Sequence, residues 1–182
     1  MRKIFILIIL IINFSSVAFA ECNFQLINFG ESKQTLGKKI KRIINIDEFE
    51  LISTPDQFGG EIFMMPLGEI CRDEQEIIGT MIEYLFINEK LERVQLVRAN
   101  MPDKNLMKYS MEQYGEFSLQ EGLPIEQWKG NHYWEKGKLL IEYVSTNIQA
   151  GNIEVLSIQR IKDTIAMSRY LERLGKWLDT GN

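Results

Sequence analysis

The stretch from Ile77 to Arg98 limits the fold of this chain more than any other. Ile77 to Ile87 is dense in β-branched and aromatic residues, Asn88-Glu89-Lys90 is a short polar break, and Leu91 to Arg98 returns as a second such run. Two strand-like runs around a short turn read as an antiparallel hairpin. A hairpin alone is marginal in water, so it needs further strands or a helix against its apolar side. The chain offers both. Asn131 to Lys136, Lys138 to Ser145 and Ile153 to Arg160 read as a three-strand meander, with Gly137 at its first turn and Gly151-Asn152 at its second. Weaker strand segments run from Phe49 to Ser53 and, after Gly59-Gly60, from Glu61 to Met65.

Helical periodicity appears in three places. Residues 32–45 place Leu36, Ile40, Ile43 and Ile44 on one helical face, with Ser32 as a cap and Lys38, Lys39, Lys41 and Arg42 toward the C-terminal end. Gly37 weakens this helix. Asn100-Met101-Pro102-Asp103 marks a second start, with Pro102 in the first turn. Leu106, Met107, Ser110, Met111 and Tyr114 share a face there, and Gly115 is a stop. The third helix spans about Asp163 to Leu178, with Met167, Tyr170, Leu171, Leu174, Trp177 and Leu178 as its apolar stripe.

These elements predict an α+β fold: an antiparallel sheet of two meanders with helices packed on it and a C-terminal helix at 163–178. Their order also suggests a duplicated helix-plus-three-strand unit, over 30–99 and 100–160. Ile82-Glu83-Tyr84-Leu85 and Ile141-Glu142-Tyr143-Val144 then fall on corresponding middle strands.

Asn28-Phe29-Gly30-Glu31-Ser32-Lys33 before a helix, and Tyr84 to Leu91 in a hairpin, resemble elements of small exported bacterial α+β modules. Those include the outer-membrane assembly lipoproteins of the SmpA/OmlA type and the tandem-module β-lactamase inhibitory proteins. Lys108-Tyr109 to Tyr114-Gly115 is similar to a helix ending found in many exported proteins. The resemblance covers about the middle two-thirds of the chain through short patterns. It implies an α+β fold and a binding role, and transfers no functional residue.

The N-terminus reads as a secretory signal. Arg2 and Lys3 precede the unbroken apolar run Ile4 to Ile12, and Ala18-Phe19-Ala20 closes the segment. The run is shorter than the roughly 20 residues of a spanning helix. Cleavage is expected between Ala20 and Glu21, leaving 21–182 as one domain with no stable membrane anchor. Glu21 before Cys22, and Phe19 three residues back from that cysteine, disfavour lipid attachment. A periplasmic or secreted, bacterial location follows. There Cys22 and Cys71, the two cysteines of the chain, are expected to pair; the competing reading is two buried thiols.

Loss of Arg2 and Lys3 leaves 19 basic against 25 acidic residues and moves the net charge from −4 to −6. That balance argues against nucleic acid as a partner. No P-loop, dinucleotide fingerprint or G-x-S-x-G occurs. No metal or cofactor is expected: Asp73, Glu74 and Glu76 lack the spacing of a calcium loop. The basic run Lys38 to Arg42 reads as a solvated helix face. The single histidine, His132, needs a partner to act as a base, and Glu135 falls on the other side of a strand. Trp128, His132, Tyr133, Trp134 and Tyr143 form an aromatic set suited to recognition, or else to filling the core. Tyr133 and Trp134 should face opposite sides. The leading expectation is a non-catalytic binding or envelope-associated protein, whose partner is another envelope protein. It would act through its sheet face or the loop 116–130. A small exported hydrolase with a dispersed site around His132 is the alternative.

Overall fold

A computed structural model describes residues 22–46, 50–72, 75–119, 122–149, 151–162 and 164–180. The expected signal segment and its cut at Ala20-Glu21 lie outside the described residues, as do Phe49, Asp73 and Glu74.

The chain is α+β. It runs α1 (Lys33–Ile44), β1 (Thr54–Pro55), β2 (Gly60–Pro66), β3 (Met81–Ile87), β4 (Lys90–Ala99), α2 (Asn105–Tyr114), β5 (Gly130–Lys136), β6 (Leu139–Ile148), β7 (Gly151–Arg160) and α3 (Ile165–Thr180). All the strands form one antiparallel sheet in the order β1-β2-β3-β4-β7-β6-β5. A helix followed by a three-strand meander thus occurs twice, β2-β3-β4 and β5-β6-β7, with the two-residue β1 added at the outer edge of the first. The two meanders join through their last strands, with Leu96 opposite Leu156 at the seam.

The two IEY quartets occupy matching places. Tyr84 lies between Phe63 and Val94, and Tyr143 lies between His132 and Leu156. Both tyrosines are fully buried, as are Ile82 and Ile141 beside them. Period-2 alternation carries these four to one sheet face. That face holds the main core, where Leu36 and Ile40 of α1, Leu106 and Met107 of α2, and Phe24 and Ile27 of the N-terminal segment pack. Each such fully buried aliphatic side chain contributes about 1.5–3 kcal/mol. A Cys22–Cys71 disulfide ties the N-terminal segment to the connection between β2 and β3.

Several element ends differ from the sequence expectation. Ser32 caps α1, its Oγ accepting from the Thr35 N–H at 3.4 Å, but Ile43 points to solvent rather than to the core. Helix α2 starts at Asn105, three residues after Pro102, because the Asp103 carboxylate accepts the Asn105 N–H at 3.0 Å and turns the chain first. Gly151 belongs to β7, opposite Ile148, rather than to the turn. Its φ is +122°, and a Cβ there would sit 1.8 Å from Asn100 Oδ1, so close approach is what demands glycine. Residues 77–80 precede β3 rather than belonging to it.

Helix α3 lies on the opposite sheet face. Its Met167 and Tyr170 form a smaller core with Leu85 and Ile87 of β3, flanked by Phe58 and Ile62. Burial, together with the Asp56 carboxylate beside it, pushes the Tyr170 phenol up to about 12.

Candidate binding surface

The aromatic residues singled out by sequence divide between the two faces. Trp128 and Trp134 are each 9% exposed and belong to the main core. Phe117 organises them, with its ring centroid 5.3 Å from Trp128 and 5.7 Å from Trp134. The Trp134 indole N–H donates to the Gly115 carbonyl at 2.8 Å, so the polar handle of this buried ring is satisfied. His132 stacks on Phe117 at 4.4 Å and meets Trp134 edge-on at 4.6 Å. Among the described residues no carboxylate or hydroxyl hydrogen-bonds to His132. Glu135 is on the opposite face, across from Leu140, whereas His132 lies across from Tyr143.

Tyr133 is different. It is 50% exposed on the face that carries α3, at the far end of the sheet from that helix. Its phenol donates to the Glu142 carboxylate, which raises the phenol pKa. Asn131 Nδ2 donates to the phenol oxygen at 2.9 Å. Tyr133 ends a polar row across five strands: Glu83, Gln95, Ser157, Glu142, Tyr133. Four interstrand steps make that row about 19 Å long. Gln95 Nε2 donates to Ser157 Oγ at 2.6 Å in its middle, and Arg93 stands 3.8 Å from Glu83 at one end. Burial raises the Glu83 pKa, and Arg93 opposes this. An apolar row runs alongside: Met81, Val97, Val155 and Val144, all half-buried.

The matching of the two units explains why α3 covers one end of this face. Leu85 and Ile87, which follow Tyr84 by one and three residues, receive the helix. The residues that follow Tyr143 by one and three are Val144 and Thr146, and Val144 lies opposite Asn131 where Leu85 lies opposite Ile62. The second unit therefore has smaller or more polar residues where the first has a helix seat. An antiparallel sheet can leave such a face open.

The main core also holds a polar cluster that the sequence reading did not find. Arg98, Lys104, Ser145 and Glu154 are all buried. Glu154 Oε1 accepts from the Tyr143 hydroxyl at 2.6 Å and from the Met107 N–H at 3.1 Å. Arg98 lies opposite Glu154 across the seam, with Nη1 3.7 Å from Oε2, and it also pairs with Asp103. Lys104 Nζ donates to Ser145 Oγ, which in turn donates to the Trp128 carbonyl at 3.2 Å. Burial raises the Glu154 pKa and lowers that of Lys104, and each is partly offset by the other's charge. Asp103 is held below the usual carboxylate range, chiefly by its bond from Arg98. The charges balance, and Asp103 and Glu154 satisfy orphan N–H groups at the start of α2. A lysine bonded to a serine resembles a nucleophilic pair, but both groups are enclosed and Ser145 spends its proton on a backbone carbonyl. The cluster locks α2 to the seam. The available signal was alternation: Glu154 shares the parity of Leu156 and Ile158, and Arg98 that of Leu96 and Val94.

Among the described residues no group of three His, Cys, Asp or Glu side chains could hold a metal ion. None of the described helices is long and apolar enough to cross a membrane. Compared with known protein families, with curated proteins and with solved structures, the chain matches none of them.

Proposed function

We propose that this chain is an exported, non-catalytic binding protein of the cell envelope and that it recognises another envelope protein through the open part of its sheet. One observation carries the reading: at the end of the sheet away from α3, half-buried Val155 and Val144 lie beside Glu142 and the half-exposed Tyr133. Aromatic residues that are part-exposed beside aliphatic ones are the usual anchors of protein interfaces. The disulfide fits an oxidising compartment, and the signal-like N-terminus supports export. The resemblance to SmpA/OmlA-type and tandem inhibitory modules points to the same class of role.

The test is site-specific photocrosslinking in cells, with the probe at Tyr133, at Val144 and, as a control on the other side of the protein, at Lys38. A discrete adduct from the two sheet positions and none from Lys38 is expected, together with a mature N-terminus at Glu21. Adducts that do not depend on probe position, or none at all, would remove the sheet face as the site.

A further inference from the structure

We infer that the outer edge of β5 pairs antiparallel with β5 of a second copy of this chain, about a two-fold axis at Tyr133. The inference concerns the edge of the sheet and does not rest on the reading given for its face. The ladder fixes which backbone groups reach that edge. The Ile161 N–H donates to the Lys138 carbonyl at 2.9 Å, and these two residues continue the register of β6 with β7. Residues along an antiparallel strand bond alternately to its two sides, so Leu139, Ile141, Tyr143 and Ser145 bond toward β5. Their partners there are Lys136, Trp134, His132 and Gly130. The N–H and C=O groups of Asn131, Tyr133 and Glu135 therefore point away from the sheet. Among the described residues they meet no backbone partner, and all three residues are exposed.

The two edges of the sheet are built differently. β1 is two residues long and ends in Pro55, a combination that resists further pairing. β5 has seven residues, no proline and an unbroken register from Gly130 to Lys136. Such an edge takes an extended backbone, and the sequence of β5 is complementary to itself. With the axis at Tyr133 all seven positions pair. Asn131 then faces Glu135 of the second copy, Tyr133 faces Tyr133, His132 faces Trp134, and Gly130 faces Lys136. An amide donor meets a carboxylate at both ends, the rings meet in the middle, and no like charges lie opposite. Asn131, Tyr133 and Glu135 each exchange backbone bonds with the residue they face. Moving the axis to Glu135 or to Lys136 sets two carboxylates or two ammonium groups against each other, so the charges oppose those displaced registers. Seven residues a side is fewer than the roughly 20–30 of a standard interface. The dimer is therefore concentration-dependent rather than permanent.

The experiment is sedimentation equilibrium of the chain from Glu21 onward, with its disulfide intact, from micromolar to millimolar concentration. A monomer–dimer equilibrium is expected. In amide hydrogen exchange, Asn131, Tyr133 and Glu135 should gain protection as the concentration rises, while His132 and Trp134, already bonded to β6, should not change. Asn131→Lys sets a cation against Glu135 at both ends of the pairing and should tighten the dimer about fivefold, and Asn131→Glu should weaken it by about the same factor. Glu135→Pro removes an N–H that faces solvent in the monomer and should abolish the dimer. Thr54→Glu, on the opposite edge, should leave it unchanged. Circular dichroism establishes that each variant is folded, and the two Asn131 variants decide the matter if Glu135→Pro does not fold. A monomer at every concentration overturns the proposal. So does a dimer that responds alike to Asn131→Lys and Asn131→Glu, or one that Thr54→Glu weakens. Photocrosslinks from Val144, one strand in from this edge, test the face separately.

Discussion

The two helix-plus-meander units put a tyrosine in the same place and satisfy it in different ways. In the first unit the Tyr84 hydroxyl donates to the Phe24 carbonyl at 2.7 Å, a neutral bond to a segment that the disulfide tethers. In the second, the Tyr143 hydroxyl donates to the Glu154 carboxylate, which also faces Arg98 and caps α2. One unit is closed by a covalent strap and apolar packing, the other by a buried charge network. The lesson is that one backbone arrangement can be completed by different chemistry, and the two solutions fail differently when a single group is removed.

The largest effect is expected at the charge network. Glu154→Ala leaves Arg98 and Lys104 with less compensating charge in the interior, and should cost about 3–5 kcal/mol in urea unfolding. Next comes the strap. Replacing Cys22 and Cys71 together by Ala should cost about 2–4 kcal/mol, since the bond closes a loop of 49 residues. Hydrogen exchange separates the two: loss of the disulfide should expose the Phe24 and Ile27 amides while Met107 stays protected. The tyrosines give a direct contrast. Tyr143→Phe removes a charged-group hydrogen bond and should cost about 2 kcal/mol, against about 1 kcal/mol for Tyr84→Phe. If the two costs are equal, the network is not stronger than the strap at this position.

Acid titration sharpens the comparison within the seam itself. Glu154 has a raised pKa when folded, so its contribution is fully present below the ordinary glutamate range and is lost as the pH rises. Asp103 has a lowered one, so its contribution is present above the ordinary aspartate range and is lost as the pH falls. The stability difference between native protein and Glu154→Gln should therefore shrink with rising pH, while that for Asp103→Asn should grow. Unfolding midpoints measured from acid to neutral pH decide this, and slopes of the same sign would refute the assignment. The smallest effect is expected at the hairpin. Asn88 and Glu89 both have positive φ, 52° and 62°, and glutamate is poorly suited to that region. Glu89→Gly should stabilise by about 1 kcal/mol.

Much of the fold was legible in the sequence because alternation and turn residues report local structure. The hairpin around Asn88-Glu89, the meander after Asn131 and the placing of Tyr133 and Trp134 on opposite faces all follow from period 2. The joining of β4 to β7 was not legible, since nothing local records which strand ends meet. The polar cluster was missed for a related reason: Arg98, Lys104 and Glu154 read as surface residues until a seam and a helix start are placed over them. The aromatic set was legible as a set, but its division was not. Phe117 lies in a loop without periodicity, and it is the residue that draws Trp128, His132 and Trp134 inward.

The central position of the last strand, β7, has a consequence for how the chain is made. Its partner β4 is complete at Ala99, while β7 ends at Arg160. At about 5–20 residues per second, synthesis leaves β4 without that neighbour for roughly 3–12 seconds. During that time a ten-residue strand is the bare edge of a nascent four-strand sheet, the kind of edge that invites pairing between chains. Whatever accompanies the emerging chain must shield this edge until its own last strand arrives.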